Sequence, residues 1–525
     1  MKTSTKQSKK MKEEKALQEE KAERRSAMAE ETTMYLLIAI EAVALAFLLK
    51  IVTWIKKSKT NSPDWYLKNP ELTQTATGFN LLYPTGVPFR MLNANSMQVP
   101  DGSISMNDTN LPGVCTFKYI PTIGYAMNAS DPVNVATTKL YAFIRHMNSG
   151  HTNYESADLM LYILQMRQCY SWFMWMARLY GVLNSHSPLN RFLPKTIVAS
   201  MGVDYDDLIS NMPQFLFHIN SYAAKLNALS IPGNMRLFDR AAWMNAGIYY
   251  DSDITKAQVY LFSPYSYTIY DPASAQTGGK LAQVQMKLSG IKYSDIVLIS
   301  NSILDPVYND EDMNIMSGDI LKAYQGNCAQ VTPIDTTYTT YPTYIPEVLD
   351  QIHNARILGV EPTGDELQTW AITQANGVLR CLPKATSTEA TDVHLLNVAL
   401  KNLMDFPDNS ISEGRTLESS RFMFTGQFKF TEAGLPTVEL TSFGTEVIVS
   451  ALIYTNVKGV PTRDFNIYST FADSVDPMSA IHVFEHAPII FRAANVSAKK
   501  FMIISTPEGE LGNYLTVDNN VIHAQ

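Results

Sequence analysis

The sequence predicts an α+β protein: a predominantly α-helical body, a smaller, more β-rich part toward the C-terminal half, and a charged and apolar N-terminal arm. Three observations predict it. The stretch Ala157–Tyr180 contains no Pro or Gly and is apolar on most of its circumference, as a helix buried on most sides must be. From Arg421 onward the apolar period changes to two, with Phe422, Phe424, Phe428 and Phe430 on one side and Val447, Val449 and Ala451 alternating with Ile448, Ser450 and Leu452, which is the strand period. The first sixty residues differ from the rest in both charge and hydropathy.

Residues 1–60 form the arm, with 13 Lys/Arg against 8 Asp/Glu for a net of +5, while the whole chain carries −8 and the remainder therefore −13. A basic arm on an acidic body reads either as a solvated tail or as a segment that meets a polyanion. Its candidate contacts are Lys2, Lys6, Lys9, Lys10, Lys12, Arg24 and Arg25. Residues 1–31 interleave Glu with Lys and Arg, and Glu20–Arg24 is a favourable i,i+4 pair, so the stretch is either a solvated helix or unstructured. The apolar run Met34–Ile55 follows, closed by Lys56, Lys57 and Lys59. As a helix it would be about 33 Å long, enough to span a bilayer core. Glu41 lies well inside it and Lys50 on the opposite face, so no single face is clean. The flanks hold equal numbers of basic residues and give no orientation bias. Three readings stand: a membrane-active segment, a single-pass anchor, or a helix packed beneath the body. Asn61 and Asn69 sit in the polar joint that follows, where an Asn amide attacking its own carbonyl would release the arm.

Residues 61–325 are read as the helix-rich body and 326–525 as a mixed helical, then β-rich part. Pro, Asn, Thr and Gly between 60 and 133 predict an irregular wrap. Residues 134–260 are helix-rich, with breaks near Asn184–Pro194 and Ser230–Asn234, and Gly181 is placed to stop the central helix. On that helix Arg167, Ser171 and Arg178 share one narrow wedge. A polar stripe on so apolar a helix predicts buried carboxylates or carbonyls as partners for both arginines. Helical patterns return at 311–325, 346–358, 364–380 and 390–405.

No stretch carries a convincing catalytic site. His482-Val483-Phe484-Glu485-His486 matches an inverted zinc-peptidase pattern, yet its surroundings alternate like a strand and contain Pro488. Ser274–Leu281 approaches a phosphate loop but lacks its first Gly and the hydroxyl residue after Lys280, and no buried strand is evident before it. His146 and His151 lack a third ligand. Asp204, Asp206 and Asp207 read as helix-start residues. The cysteines Cys115, Cys169, Cys328 and Cys381 are too scattered for a zinc ribbon or a disulfide framework. The chain is therefore read as a non-enzyme without metal or cofactor.

One long run of ordinary residues carries a family likeness. Asn134, Arg145-His146-Met147-Asn148-Ser149-Gly150, Tyr154, Asp158, Arg178, Tyr180-Gly181, Asn190-Arg191, Pro194 and Met201-Gly202-Val203-Asp204 resemble the capsid proteins of picobirnaviruses. The likeness runs from Asp64-Trp65-Tyr66 through Pro264 and extends to Ser317-Gly318-Asp319-Ile320-Leu321. It implies a virion protein that pairs as a homodimer and assembles, in the host cytoplasm, into an icosahedral shell, with the helix-rich body as the shell domain and a smaller projecting domain within 326–525. That shell would enclose double-stranded RNA segments with the viral polymerase. On this reading the arm holds RNA, and Met34–Ile55 acts on host membrane during entry. The apolar run itself is no motif of the family, which keeps the membrane-anchored alternative open.

Overall fold

A computed structural model describes residues 15–28, 87–92, 106–111, 114–150, 153–185, 193–250, 258–272, 278–358, 362, 364–387, 404, 406, 411–430, 436–442, 444–457 and 460–466. The chain divides into two compact units, 1–80 and 81–525. In the first, residues 15–28 form an exposed helix, α1, with Arg24 paired to Glu20 at 2.9 Å. Lys2, Lys6, Lys9, Lys10, Lys12, Met34, Glu41, Lys50, Ile55, Asn61 and Asn69 lie outside the described residues.

The second unit runs in the order β1 (Val87–Leu92), β2 (Met106–Leu111), β3 (Val114–Pro121), α2 (Pro132–Met147), α3 (Ser156–Asn184), α4 (Leu193–Ser200), α5 (Tyr205–Ser210), α6 (Met212–Asn227), α7 (Arg236–Ala246), β4 (Tyr249–Tyr250) and β5 (Val259–Pro264). It continues with β6 (Ser266–Asp271), β7 (Lys280–Gln285), α8 (Tyr293–Tyr308), α9 (Glu311–Ala323), α10 (Pro346–His353), α11 (Gly364–Gln368), β8 (Thr373–Ala375) and β9 (Val378–Arg380). The remaining elements are β10 (Lys384–Ser387), α12 (Glu413–Ser419), β11 (Phe424–Phe430), β12 (Pro436–Ser442), β13 (Glu446–Val457) and β14 (Val460–Asn466).

The helix α3 is the axis of the core. It opens with a capping box, in which the Glu155 backbone N–H donates to Asp158 Oδ2 at 3.0 Å. Trp172 and Trp175 stack at 4.6 Å, and Trp172 Nε1–H donates to Ser300 Oγ at 2.8 Å. Truncating either ring would cost about 3–5 kcal/mol. Gly181 does not end the helix, which runs on to Asn184. Its role is close approach: a Cβ there would lie 2.8 Å from the Thr340 backbone nitrogen, whose N–H donates to Gly181 O at 3.1 Å.

A five-stranded sheet in the order β14-β13-β3-β5-β4 crosses the other half of the core. Its centre pairs β3 antiparallel to β13 and parallel to β5. Every residue of β3 and β5 is buried, so both faces of the sheet are covered. One buried cluster surrounds α3, and a second packs Phe117, Tyr260, Phe262 and Ile453 against Leu349 and Ile352 of α10.

Several elements differ from expectation. Within the stretch read as irregular, β1 and β2 pair antiparallel, and β3 is a central strand. A lysine interrupts the apolar run of β3: Lys118 is buried and donates to Ser263 Oγ at 3.0 Å. The helix predicted over 346–358 ends at His353, because the chain leaves it to pair with β13 through Leu358 N–H and Ile448 O at 2.8 Å. Only Gly364–Gln368 of 364–380 is helical. The rest is the β8–β9 hairpin, turned by Asn376 (φ 55) and Gly377 (φ 71), the pair a tight hairpin favours. A buried strand, β6, does precede the phosphate-loop-like stretch, but β6 pairs antiparallel with β7, which begins at Lys280, so strand follows strand where a phosphate loop needs a helix. Residues 390–403 and the histidines His151, His482 and His486 lie outside the described residues.

Candidate functional site

The polar stripe of α3 leads to a charge network. Arg167 reaches Glu446 Oε1 across the core, and Arg240 of α7 donates from Nε to Glu446 Oε2 at 2.6 Å. Glu446 opens β13 and is fully enclosed, while both arginines are nearly so. Thr445 Oγ1–H donates to Glu446 Oε1 at 2.8 Å, and Arg421 Nη2 donates to Thr445 Oγ1 at 3.2 Å. Arg240 also donates to Gln351 Oε1 at 3.0 Å, and its guanidinium lies over the Trp243 and Phe422 rings, at 5.0 and 5.1 Å. Burial alone would push the Glu446 carboxyl up, but Arg240 and Arg167 overcome it and hold the group below its ordinary value. Burial, with Arg240 and Arg167 beside it, pulls the Arg421 guanidinium down.

Arg178 is held by carbonyls instead, through Nη1 and Nη2, while its Nε is buried without a hydrogen-bond partner. It donates to Gly247 O at 3.0 Å and Met244 O at 3.3 Å, at the C-terminal end of α7, and to Phe262 O at 2.6 Å on β5. A cation belongs at that helix terminus. Burial brings its guanidinium down to about 10, so it stays charged at neutral pH. Both arginines thus tie α3 to other elements, as the stripe predicts.

The residues that carry the family likeness are joints of the same kind. Asn148 Nδ2 donates to Asp319 O at 3.1 Å and Tyr154 Oη–H to Asp319 Oδ2 at 2.9 Å, docking the end of α2 on α9. Asn134 exchanges hydrogen bonds with Leu379, and Asp158 accepts from Gln374 Nε2 at 2.7 Å. Asp204 caps α5 by accepting from the Asp206 and Asp207 backbone N–H groups, both at 3.1 Å. His146 is exposed in the last turn of α2. No group of three or more His, Cys, Asp or Glu side chains is arranged to hold a metal ion among the described residues.

Two surface features stand above this core. A groove of about 760 Å³ lies between α7 and α12, lined by Arg236, Arg240, Trp243, Leu417, Glu418 and Arg421 among others. Phe217 of α6 and Leu298 of α8 are 75% and 67% exposed. Their helices pack side by side through His218–Ser300 (2.9 Å) and Lys225–Asp305 (3.0 Å). Neither the groove nor Glu446 was singled out from sequence. A lone Glu at the head of the apolar run Glu446–Leu452 was the available signal.

The network ties α3, α7 and β13 into one core. The family model described as picobirnavirus capsid protein matches residues 65–502, and the chain belongs to that family. It is a structural, non-enzymatic protein of the virion. A capsid protein precursor of human picobirnavirus (strain Human/Thailand/Hy005102/-) is 28% identical over 483 residues, covering 86% of this chain and 87% of its own length. The X-ray crystallographic structure of the picobirnavirus capsid shares the fold, with a TM-score of 0.60 at 24% identity over 77% of this chain and 78% of its own. Among the described residues no helix is long and apolar enough to cross a membrane, and Met34–Ile55 lies outside them.

Proposed function

We propose that the chain self-assembles, through homodimers, into a closed icosahedral shell around double-stranded RNA and its polymerase. Assembly would take place in the host cytoplasm. Family membership gives the shell. The observation that carries self-association is the outward face of α6 and α8, where Phe217 and Leu298 stand open to solvent beside each other's helices. Two large side chains so exposed on neighbouring helices suit burial against another copy. The projecting part falls within 326–525, and its described portion includes the sheet β10-β12-β11, whose strands pair, among the described residues, with one another.

Expression of the full chain tests this by electron microscopy. Wild type is expected to form closed particles, whereas F217D/L298D is expected to remain as small soluble species with unchanged melting, since both side chains lie outside the core. Variant particles of normal yield would remove this face from the contact. The arm has its own roles in this reading: Lys2, Lys6, Lys9, Lys10, Lys12, Arg24 and Arg25 neutralise RNA phosphates, and Asn61 or Asn69 releases the arm after assembly. Intact mass of the same particles, finding only full-length chain, would exclude the release.

The segment Met34–Ile55, with Glu41 and Lys50, acts on host membrane at entry. A carboxyl entering lipid is favoured in its neutral form. A peptide covering residues 32–59 is therefore expected to leak liposomes more at about pH 5 than at about pH 7.5, with E41Q removing the difference. An inert peptide assigns the run to packing beneath the shell.

A further inference from the structure

We propose that the groove between α7 and α12 receives an acidic peptide segment from a second copy of this chain. The proposal rests on the self-assembly reading and names one contact within it. Three guanidinium groups, from Arg167, Arg240 and Arg421, gather around the single buried carboxylate of Glu446. Glu446 offsets Arg167, and on the lining Arg240 and Arg421 face Asp239 and Glu418, so Arg236 supplies the groove's net positive charge. Arg240 Nη2 is buried without a hydrogen-bond partner. Arg236, one helical turn before Arg240 and exposed, adds a further cation to the lining.

The site is stiff where it needs to be. Arg240 lies over the Trp243 and Phe422 rings, with Nε on Glu446 and Nη1 on Gln351, so the floor of the groove is fixed before any ligand arrives. The exposed Arg236 guanidinium is the group that can meet an incoming carboxylate. The exposed Leu417, with Leu237, adds apolar surface to the lining. An isolated anion would leave that surface unused, and a peptide with an apolar residue beside its acid would cover it.

A second copy fits better than nucleic acid. Residues 61–525 carry a net −13, which repels a polyanion as a whole yet supplies abundant carboxylates on the neighbouring copy. A run of phosphates would also have to pass Asp239 and Glu418 on the lining. One acidic side chain needs only the arginines.

The test uses full-length chain, wild type and R236K, assembled from an equal mixture of isotopically heavy and light copies and treated with a carbodiimide. That reagent joins an amine to an adjacent carboxylate. The expected result is a cross-link from the R236K position to an Asp or Glu in a heavy–light pair, absent from wild type. R236E is expected to raise the concentration needed for assembly roughly three- to tenfold at unchanged melting temperature, with R236K close to wild type. Links confined to Asp239 or Glu418 of the same copy, no link at all, or groove peptides that photo-cross-link to RNA would each overturn the proposal. Failure of wild type to form particles counts against the self-assembly reading alone, because a heavy–light link in a smaller oligomer still supports the groove.

Discussion

Glu446 shows how much one residue can hold at the centre of a helical body. Its two oxygens accept from α3 and α7 while its backbone opens β13 next to the central strand. A buried pair of this kind adds little over a well-packed apolar replacement, but losing one partner strands the others. E446Q is therefore expected to cost about 3–5 kcal/mol at neutral pH, read from denaturant unfolding of the unassembled chain. The sign of the pH dependence follows from the depressed carboxyl. Its stabilisation is fully present above the unfolded value of about 4.3 and is lost as pH falls through the folded value. The gap between wild type and E446Q should thus be constant from about pH 7 to 5 and narrow in stronger acid. A gap that instead opens only in acid would mean that Glu446 is neutral in the folded protein.

At the scale of elements, the sequence was legible where periodicity and burial agree. The centre of α3 is apolar on nearly every side and is buried on nearly every side, and Arg167 and Arg178 interrupt it where partners wait. The capping reading of Asp204 holds because a short acidic side chain before a helix has few other local uses. What escaped was set by contacts distant in sequence. Gly181 looks like a stop signal, and only the approach of Thr340 explains why it lies inside the helix. The strand β3 looks irregular because Lys118 breaks its pattern, and its Ser263 partner is 145 residues away. The β8–β9 hairpin was different, since the Asn376–Gly377 pair was a local signal outweighed by the helical pattern around it. The groove was invisible in principle: α7 and α12 meet across more than 160 residues, and nothing local in either marks the other.

The whole molecule divides charge unevenly, and the division within the arm is sharper than its net of +5 suggests. Residues 1–12 hold five lysines and no acid, whereas 13–31 interleave acidic with basic residues. In α1, Arg24 is already paired with Glu20 at 2.9 Å, so part of its field is spent before any phosphate is near. Binding to a polyanion through counterion release scales with the cations that replace counterions. The larger share of the load should therefore fall on Lys2, Lys6, Lys9, Lys10 and Lys12, with Arg24, held by Glu20, contributing less and Arg25 adding to them. Deleting residues 1–12 is expected to lower the nucleic acid content of assembled particles, measured as the 260/280 absorbance ratio. It should also flatten the salt dependence of duplex RNA binding by about 4–5 in the slope of log K against log salt. R24A/R25A should move both in the same direction but by less than the deletion. Particles lacking residues 1–12 that retain full RNA would show that the acidic body, and not the arm, holds the genome, which its net −13 argues against.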